Sequence, residues 1–370
     1  MTRWSFALGL VVWFGAGFVS CGKARADDLL DNVEAYGSFR SHLAAYEDVL
    51  EVQNNGSRLG VRFQVPLSSG ITFLGLGEIS VNLVENNVEF NASTSTHSDF
   101  VLRRTSTRPF GPRLGYVGID FGRFGQLQMG KVWSVYSDIS RWTQAFHVFG
   151  GEASGTYPGG TDGGLNGTGR AEKALAYRAG LGRLRVGVQG QFRGVDTGQL
   201  LDSAGAAAWV DVGFGLSIGG AYNRYNVATR IKPFLINEGD TGGTAIAGVR
   251  FETSFLYVAA IYATQDKADA VVEDSVAVAF SSEGVEVYAH VNIDRVRILG
   301  GFNYLQPEDV GTGISDRFEV HYYVAGVTCS LRPSLFLYTE MRFDLGNDPT
   351  GRGRANIYTL GLEFDIGTQL

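Results

Sequence analysis

Through much of this chain apolar residues recur at every second position, and the residues between them are polar or charged. In residues 58–65, Leu59, Val61, Phe63 and Val65 share one face, while Arg58, Arg62 and Gln64 take the other. Residues 183–189 repeat the pattern, with Leu184, Val186 and Val188 against Arg183, Arg185 and Gln189. Nearer the end, Leu335, Leu337, Met341, Phe343 and Leu345 oppose Tyr338, Glu340, Arg342 and Asp344. The last segment sets Tyr358, Leu360, Leu362, Phe364 and Ile366 against Thr359, Glu363 and Asp365. A period of two places each set on one face of a sheet. Soluble sandwiches alternate too, so the period alone leaves two architectures open. The charges decide between them: Arg, Glu and Asp gather on one face over many strands, with few charges opposite. A polar lumen inside a lipid-facing apolar band requires that arrangement. Ten residues at ~3.3 Å each, tilted ~45°, cover about 23 Å, close to the ~25 Å apolar band. The expected fold class is all-β, a transmembrane antiparallel up-and-down β-barrel.

The N-terminus sets the compartment. Arg3 precedes an apolar run from Phe6 to Val19, and Ala24 and Ala26 flank Arg25. This reads as a signal peptide, residues 1–26, cut after Ala26 and leaving 27–370 as one barrel domain. The run is too short for a membrane helix, which needs ~20 apolar residues. Cys21 after Ser20 is a rival lipidation site, although Phe18 stands where such a box usually has Leu. Without Arg3, Lys23 and Arg25, 28 of the 31 basic residues remain against 38 acidic ones, a net charge of −10. That argues against nucleic-acid binding, which usually leaves a basic footprint. Only Cys329 survives the cut, so no disulfide within the chain is expected.

Glycine supplies 51 of 370 residues, about twice the ordinary ~7%. With 8 prolines and no three-residue repeat, this suits a large sheet with many turns. Short turns are read at Ser68-Ser69-Gly70, Phe121-Gly122-Arg123, Gly180-Leu181-Gly182 and Arg332-Pro333-Ser334. Long polar connections fall at 86–112, 134–169, 227–242 and 306–316. Short turns on one rim and long loops on the other are the outer-membrane layout. Counted run by run, the alternation gives about seventeen strands, whereas single-chain bacterial barrels are usually even-numbered. The apolar face changes phase near Ser282, and a bulge in 274–305 would fuse two runs and give sixteen.

Several stretches in order resemble the general diffusion porins of Gram-negative outer membranes. Val33-Glu34-Ala35-Tyr36-Gly37 is similar to that family's first strand, and Asn55-Gly56-Ser57-Arg58-Leu59-Gly60 to its second-strand motif. Residues 113–122 (Arg-Leu-Gly-Tyr-Val-Gly-Ile-Asp-Phe-Gly) and 125–131 (Gly-Gln-Leu-Gln-Met-Gly-Lys) resemble the hairpin that leads into its long third loop. Phe149-Gly150-Gly151 matches the loop tip, and Gly169-Arg170 with Ala176-Tyr177-Arg178 the strand that leaves it. The likeness is clear over residues 33–192 and looser beyond. It implies sixteen strands, a trimer, and a third loop folded into the barrel to narrow the pore. Two departures stand out. His147-Val148 replaces the acidic residue common before Phe-Gly-Gly, and Gly367-Thr368-Gln369-Leu370 follow Ile366 where the family ends on an aromatic. Phe364 is the available substitute.

By that resemblance Arg58, Arg113 and Arg170 line the pore wall opposite the loop. Arg40, on the inner-facing set with His42, joins them. A row of permanently charged guanidiniums needs water or counter-charge, and a lumen supplies both. Asp138, Glu152 and Asp162 are the loop carboxylates available to set a transverse field, each equally readable as a solvated loop charge. Trp133 and Tyr136 are placed to pack the loop, and Lys131 to anchor it. Enzyme signatures are missing: the five histidines are scattered, Ser154 is offset from Gly-x-Ser-x-Gly, and no Walker sequence occurs. No cofactor or metal is expected; Thr161-Asp162-Gly163-Gly164 is more simply a turn than a cation site. The expected function is passive diffusion of small hydrophilic solutes and ions through a water-filled channel, with an anion preference. A substrate-specific phosphate or sugar channel is the close rival, and a barrel-based adhesin or enzyme the distant one. Expected partners are outer-membrane lipid and lipopolysaccharide, the permeating solutes, and two further copies of the chain.

Overall fold

The computed structural model describes residues 32–82, 84, 87–88, 104–105, 109–158, 161–194, 200–226, 241–273, 276–308, 317–348 and 350–367. The signal-peptide cut at Ala26, Cys21, and most of the connections 86–112 and 227–242 lie outside them. One antiparallel sheet closes on itself. Its strands are β1 (Val33–Tyr46), β2 (Val49–Asn54 continued by Arg58–Ser68), β3 (Ile71–Val81) and β4 (Phe110–Asp120). Next come β5 (Gln126–Trp133), β6 (Arg170–Leu181), β7 (Leu184–Gln191) and β8 (Ser203–Gly213). They are followed by β9 (Leu216–Asn226), β10 (Thr241–Glu252), β11 (Leu256–Glu273) and β12 (Val276–Ile293). The circuit ends with β13 (Val296–Pro307), β14 (Val320–Arg332), β15 (Leu335–Asp344) and β16 (Ile357–Ile366). Strand β1 pairs with β16 from Gly37↔Ile366 to Tyr46↔Ile357, which shuts the barrel.

The count of sixteen rests on two irregularities. Both parts of β2 pair with the same strand, Val49–Asn54 against Ser41–Tyr46 and Arg58–Phe63 against Val33–Ser38. They are therefore one barrel strand interrupted at Asn55-Gly56-Ser57. Gly56 takes φ +67° there, a conformation that residues with a Cβ rarely adopt. The hydroxyl of Ser57 stands in for the missing ladder by accepting from the Arg40 amide and donating to the Arg40 carbonyl. The bulge expected in 274–305 is not found: Phe280, Ser282, Glu286 and Tyr288 all lie buried in one unbroken alternation of β12, whose apolar residues change sides near Ser282. Strand β12 is continuous, and the register slips on its partner between Gln265 and Asp269. Lys267, at φ +54°, carries the bulge.

The alternating faces fall as read from the sequence. Tyr358, Leu360, Leu362, Phe364 and Ile366 are exposed on the outside, while Thr359 and Glu363 are buried inside. On β15, Leu337, Met341 and Phe343 face out and Tyr338, Glu340, Arg342 and Asp344 face in. The tight connections at Ser69-Gly70, Gly122–Phe124, Gly182-Arg183, Phe214-Gly215 and Asp294-Arg295 share one rim, opposite the long loops. Residue 247 lies mid-strand on the outer face of β10. Ala247→Arg should destabilise the folded barrel by about 2–4 kcal/mol, the midplane cost of a lipid-facing arginine. Urea unfolding from lipid vesicles would measure it, and Thr241→Arg, at the rim, should cost much less.

Candidate pore constriction

The connection 134–169 turns inward, and inner-face side chains of the wall hold it there. It begins with the short helix α1 (Ser137–Ser140). Val135, Tyr136, Ile139 and Trp142 pack against Ala207, Ala221, Ile246, Ala259, Ile261 and Ala263 on β8 to β11. The Tyr136 hydroxyl is turned back on the loop itself and donates to the Ser154 carbonyl at 2.7 Å. Farther along, two buried wall carboxylates take up loop donors. Glu286 accepts from the Thr143 hydroxyl at 2.6 Å and the Ala153 amide at 2.9 Å. Glu340 accepts from the His147 amide at 2.6 Å and the Val148 amide at 2.9 Å. The ring of His147 stacks on Tyr338 and lies 2.9 Å from both Glu363 and Thr328. Asn55, projected by the interruption in β2, donates to the His147 carbonyl and to the Tyr338 hydroxyl. The returning half is held by Gln189, Gln191 and Asn223, which donate to the carbonyls of Gly167, Gly164 and Asn166.

Wall glycines make room for this docking. A Cβ at Gly187 would lie 2.9 Å from Val135 and one at Gly219 2.7 Å from Ile139. Gly284 faces the Ala153 backbone and Gly301 the Phe146 ring just as closely. These inner-face glycines form a trough under the loop, a use for the glycine excess that turns alone do not exhaust.

The arginines anticipated from the sequence form one belt along the opposite wall. Arg40 pairs with Glu363 at 2.5 Å, and Arg113 pairs with Glu78 at 2.8 Å. Arg58 lies 3.9 Å from the same Glu78, which also accepts from the Tyr36 hydroxyl. Arg170 and Lys131 share Asp162, at 3.3 and 2.7 Å, and Lys131 also reaches Glu172. Lys131 thus ties the loop's return to its entry strand. The carboxyl of Asp162 feels a burial penalty, but the hydrogen bond from Lys131 and the charge of Arg170 outweigh it and hold it below the ordinary range. Trp133 lies under two guanidiniums, Arg141 at 4.8 Å and Arg170 at 5.9 Å from its ring centre.

The candidate loop acids are placed differently from one another. Asp138 is gripped by Arg178 through Nε at 2.7 Å and Nη2 at 3.1 Å. Burial nevertheless pushes its carboxyl above the usual value, with Arg178 and Arg141 pulling the other way. Glu152 does not meet Arg58 or Arg113. It is buried against β15, where Arg342 donates to it at 2.7 Å and also pairs with Asp344 at 2.6 Å. A carboxylate this far from water needs a fixed counter-charge, and β15 supplies one. The period of two places Glu340, Arg342 and Glu363 on the inner face but gives no sign that they fasten the loop. Glu78, Glu286 and Arg141 escape sequence reasoning altogether. Their signal is a charge in the inner phase of a strand, or on the loop, with no local partner.

Glu340→Ala should free the loop tip, since each orphaned buried donor costs roughly 1–3 kcal/mol. The expected result is a larger single-channel conductance and faster proteolysis near Phe149, with the barrel still resistant. Unchanged conductance would show that the tip is held elsewhere.

The sequence profile of the Gram-negative porin family matches residues 11–369. Outer membrane protein F of Serratia marcescens is 24% identical over 345 residues, covering 85% of this chain and 87% of the relative. Outer membrane porin N of Escherichia coli K12 is 23% identical, covering 84% and 85%. Among solved structures, Salmonella typhi OmpF in complex with daunomycin superposes with a TM-score of 0.73 at 16% identity, covering 92% of this chain and 99% of that one. An anion-selective porin from Comamonas acidovorans gives 0.64 at 14% identity, covering 90% and 99%. At such identities the structural likeness speaks for the fold alone. With the profile matched across almost its whole length, the chain belongs to the Gram-negative porin family, multi-pass proteins of the outer membrane that form water-filled diffusion channels.

Proposed function

We propose that this porin prefers anions, with Arg40, Arg58, Arg113 and Arg170 lining its narrowest section. The carrying observation is the state of the loop acids. Asp138, Glu152 and Asp162 are the acidic residues of 134–169, and each is engaged by a wall cation: Arg178, Arg342, and Arg170 with Lys131. Arg58 and Arg113, meanwhile, share the single carboxylate of Glu78. The wall side of the section therefore keeps a positive excess at Arg58 and Arg113, which pair with no acid of the loop among the described residues. Glu152 contributes to anchoring and not to the transverse field.

Family likeness supports the assembly and the processing of the chain. The assembly is a homotrimer, with Arg103, Arg104 and Arg108 in the connection 86–112 latching a neighbour through charge-assisted hydrogen bonds. Residues 1–26 are removed on export, and lipid and lipopolysaccharide surround the barrel. The chain acts as a channel without catalytic chemistry. Cross-linking in detergent would test the trimer, and deletion of 91–98 should weaken it while the barrel still folds.

Reversal potentials across a KCl gradient should show anion preference, reduced in Arg58→Ala and Arg113→Ala. Cation preference in the parent channel would overturn the assignment. The preference should also grow as pH falls from neutral. The raised carboxyl of Asp138 takes up a proton above the ordinary carboxylate pKa, which leaves Arg178 uncompensated. Asp138→Asn should show the stronger preference already at neutral pH and lose that part of the pH response.

A further inference from the structure

Below the belt of Arg58 and Arg113, toward the rim of tight turns, lies a second group of cations. Arg62 follows Arg58 by four residues on β2, about 13 Å along the strand at ~3.3 Å per residue. Arg62 pairs across the sheet with Leu76, and Leu76 with Tyr116. Arg178 stands beside Gln126 on the neighbouring pair of strands. Arg141 reaches in from the loop. These residues, with Arg58 and Arg113, border a cavity of about 390 Å³ in which Glu78 and Asp138 are the acids.

The hydrogen-bonding inventory of this cavity is lopsided. Asp138 is chelated by Arg178, and Glu78 is engaged by Arg113 and Tyr36. Both carboxylates are taken. Donors remain. Arg62 makes one ion pair, from Nη1 to Glu34 at 3.2 Å, and its buried Nε and Nη2 have no hydrogen-bond partner among the described residues. Arg141 makes no ion pair among the described residues and lies over the Trp133 ring. The Gln128 side-chain oxygen accepts from Arg178 Nη1 at 3.3 Å, which commits the oxygen and leaves donors to a residue that lines the cavity. Arg62 lies over the Tyr36 ring with Cζ 5.5 Å from its centre, and Arg141 over the Trp133 ring at 4.8 Å, so each cation is held against an aromatic side chain. The Nε and Nη2 groups of Arg62, an edge of the kind that matches an oxyanion, have no protein partner among the described residues. With Glu34 counted, five arginines oppose three carboxylates, an excess of two positive charges.

We propose that Arg62, Arg141 and Gln128, oriented by Arg178, form a discrete subsite for a small doubly charged oxyanion, on the tight-turn side of the constriction. A monovalent anion leaves half the excess charge unanswered, and a neutral sugar offers donors where the cavity needs acceptors. Hydrogen phosphate and a short dicarboxylate such as succinate both fit. The inference rests on the chain being a conducting porin, and it stands apart from which ion the Arg58–Arg113 section prefers.

The test is single-channel recording in planar bilayers with KCl at about pH 8, adding hydrogen phosphate, succinate, acetate or glucose. Hydrogen phosphate or succinate should give concentration-dependent partial block or excess current noise that saturates, and acetate and glucose should not. Block by both dianions identifies a charge-selective site, and block by one alone assigns it to phosphate or to carboxylates. Arg62→Gln and Arg141→Gln should each raise the half-blocking concentration about tenfold, the order expected for losing one charged hydrogen bond. The reversal potential set at Arg58 and Arg113 should shift far less. Arg62→Lys, which keeps charge but loses the fork, should retain only part of the block. Heat-resistant electrophoretic mobility checks that each variant is folded. A saturating block unchanged in both glutamine variants, or no block by either dianion in the parent channel, would overturn the subsite. Cation-preferring reversal potentials with the block intact would overturn only the selectivity reading.

Discussion

A chain that crosses lipid as strands has nowhere to leave an unpaired N–H or C=O, so its sheet has no tolerable edge. The pairing of β1 with β16 over Gly37–Tyr46 and Ile357–Ile366 meets that demand. The rest of the architecture follows from it. Once the sheet is closed, alternate residues are committed to lipid or to the interior, and a one-residue slip would reverse both sets. Irregularities survive only where a side chain or a neighbouring strand makes good the ladder. Ser57 does so beside Gly56, and β12 stays unbroken where Lys267 bulges.

Closure creates an interior too wide for wall side chains to fill, and the connection 134–169 occupies part of it. Its first half is held as a small apolar core, in which each fully buried Val or Ile contributes on the order of 1.5–3 kcal/mol. Its tip is held as a polar problem solved by the wall. Backbone amides that have left any regular element need acceptors, and Glu286 and Glu340 supply them. The inner glycines are the steric counterpart, since Gly284 and Gly301 let backbone and ring approach where a Cβ would collide. Hydrogen bonding, apolar burial and shape therefore place the loop together.

The barrel is legible in the sequence because its cause is local. The alternation in a stretch such as Leu335–Asp344 needs no knowledge of distant residues to assign two faces, and those faces hold. The belt of Arg58, Arg113 and Arg170 is legible through motif likeness. What stays hidden depends on separations along the chain that no pattern records. Glu152 meets Arg342 across 190 residues, His147 meets Glu363 across 216, and Asn55 meets Tyr338 across 283. Period-two reading says that Arg342 and Glu363 face inward, but not which part of the loop will reach them. The seventeenth strand is a misreading of another kind, because the interruption at Asn55-Gly56-Ser57 and the change of apolar side along β12 break a local pattern without adding a crossing.

Overall charge is a poor guide to what such a pore admits. The chain carries an acidic excess, yet a permeating ion responds to charges within about a Debye length, ~8 Å at physiological salt. Inside the barrel the acids are mostly spoken for. Glu363 answers Arg40, Asp162 answers Arg170 and Lys131, and Asp138 answers Arg178. Each pairing cancels a field at short range while leaving its members in place as hydrogen-bonding surface. The uncancelled part is what an ion meets: two arginines on one glutamate, a third held by a tryptophan face, and a fourth with part of its donor set unused. Pairing the acids with wall cations is also what fixes the loop, so the contacts that set the width of the passage are the ones that set its sign.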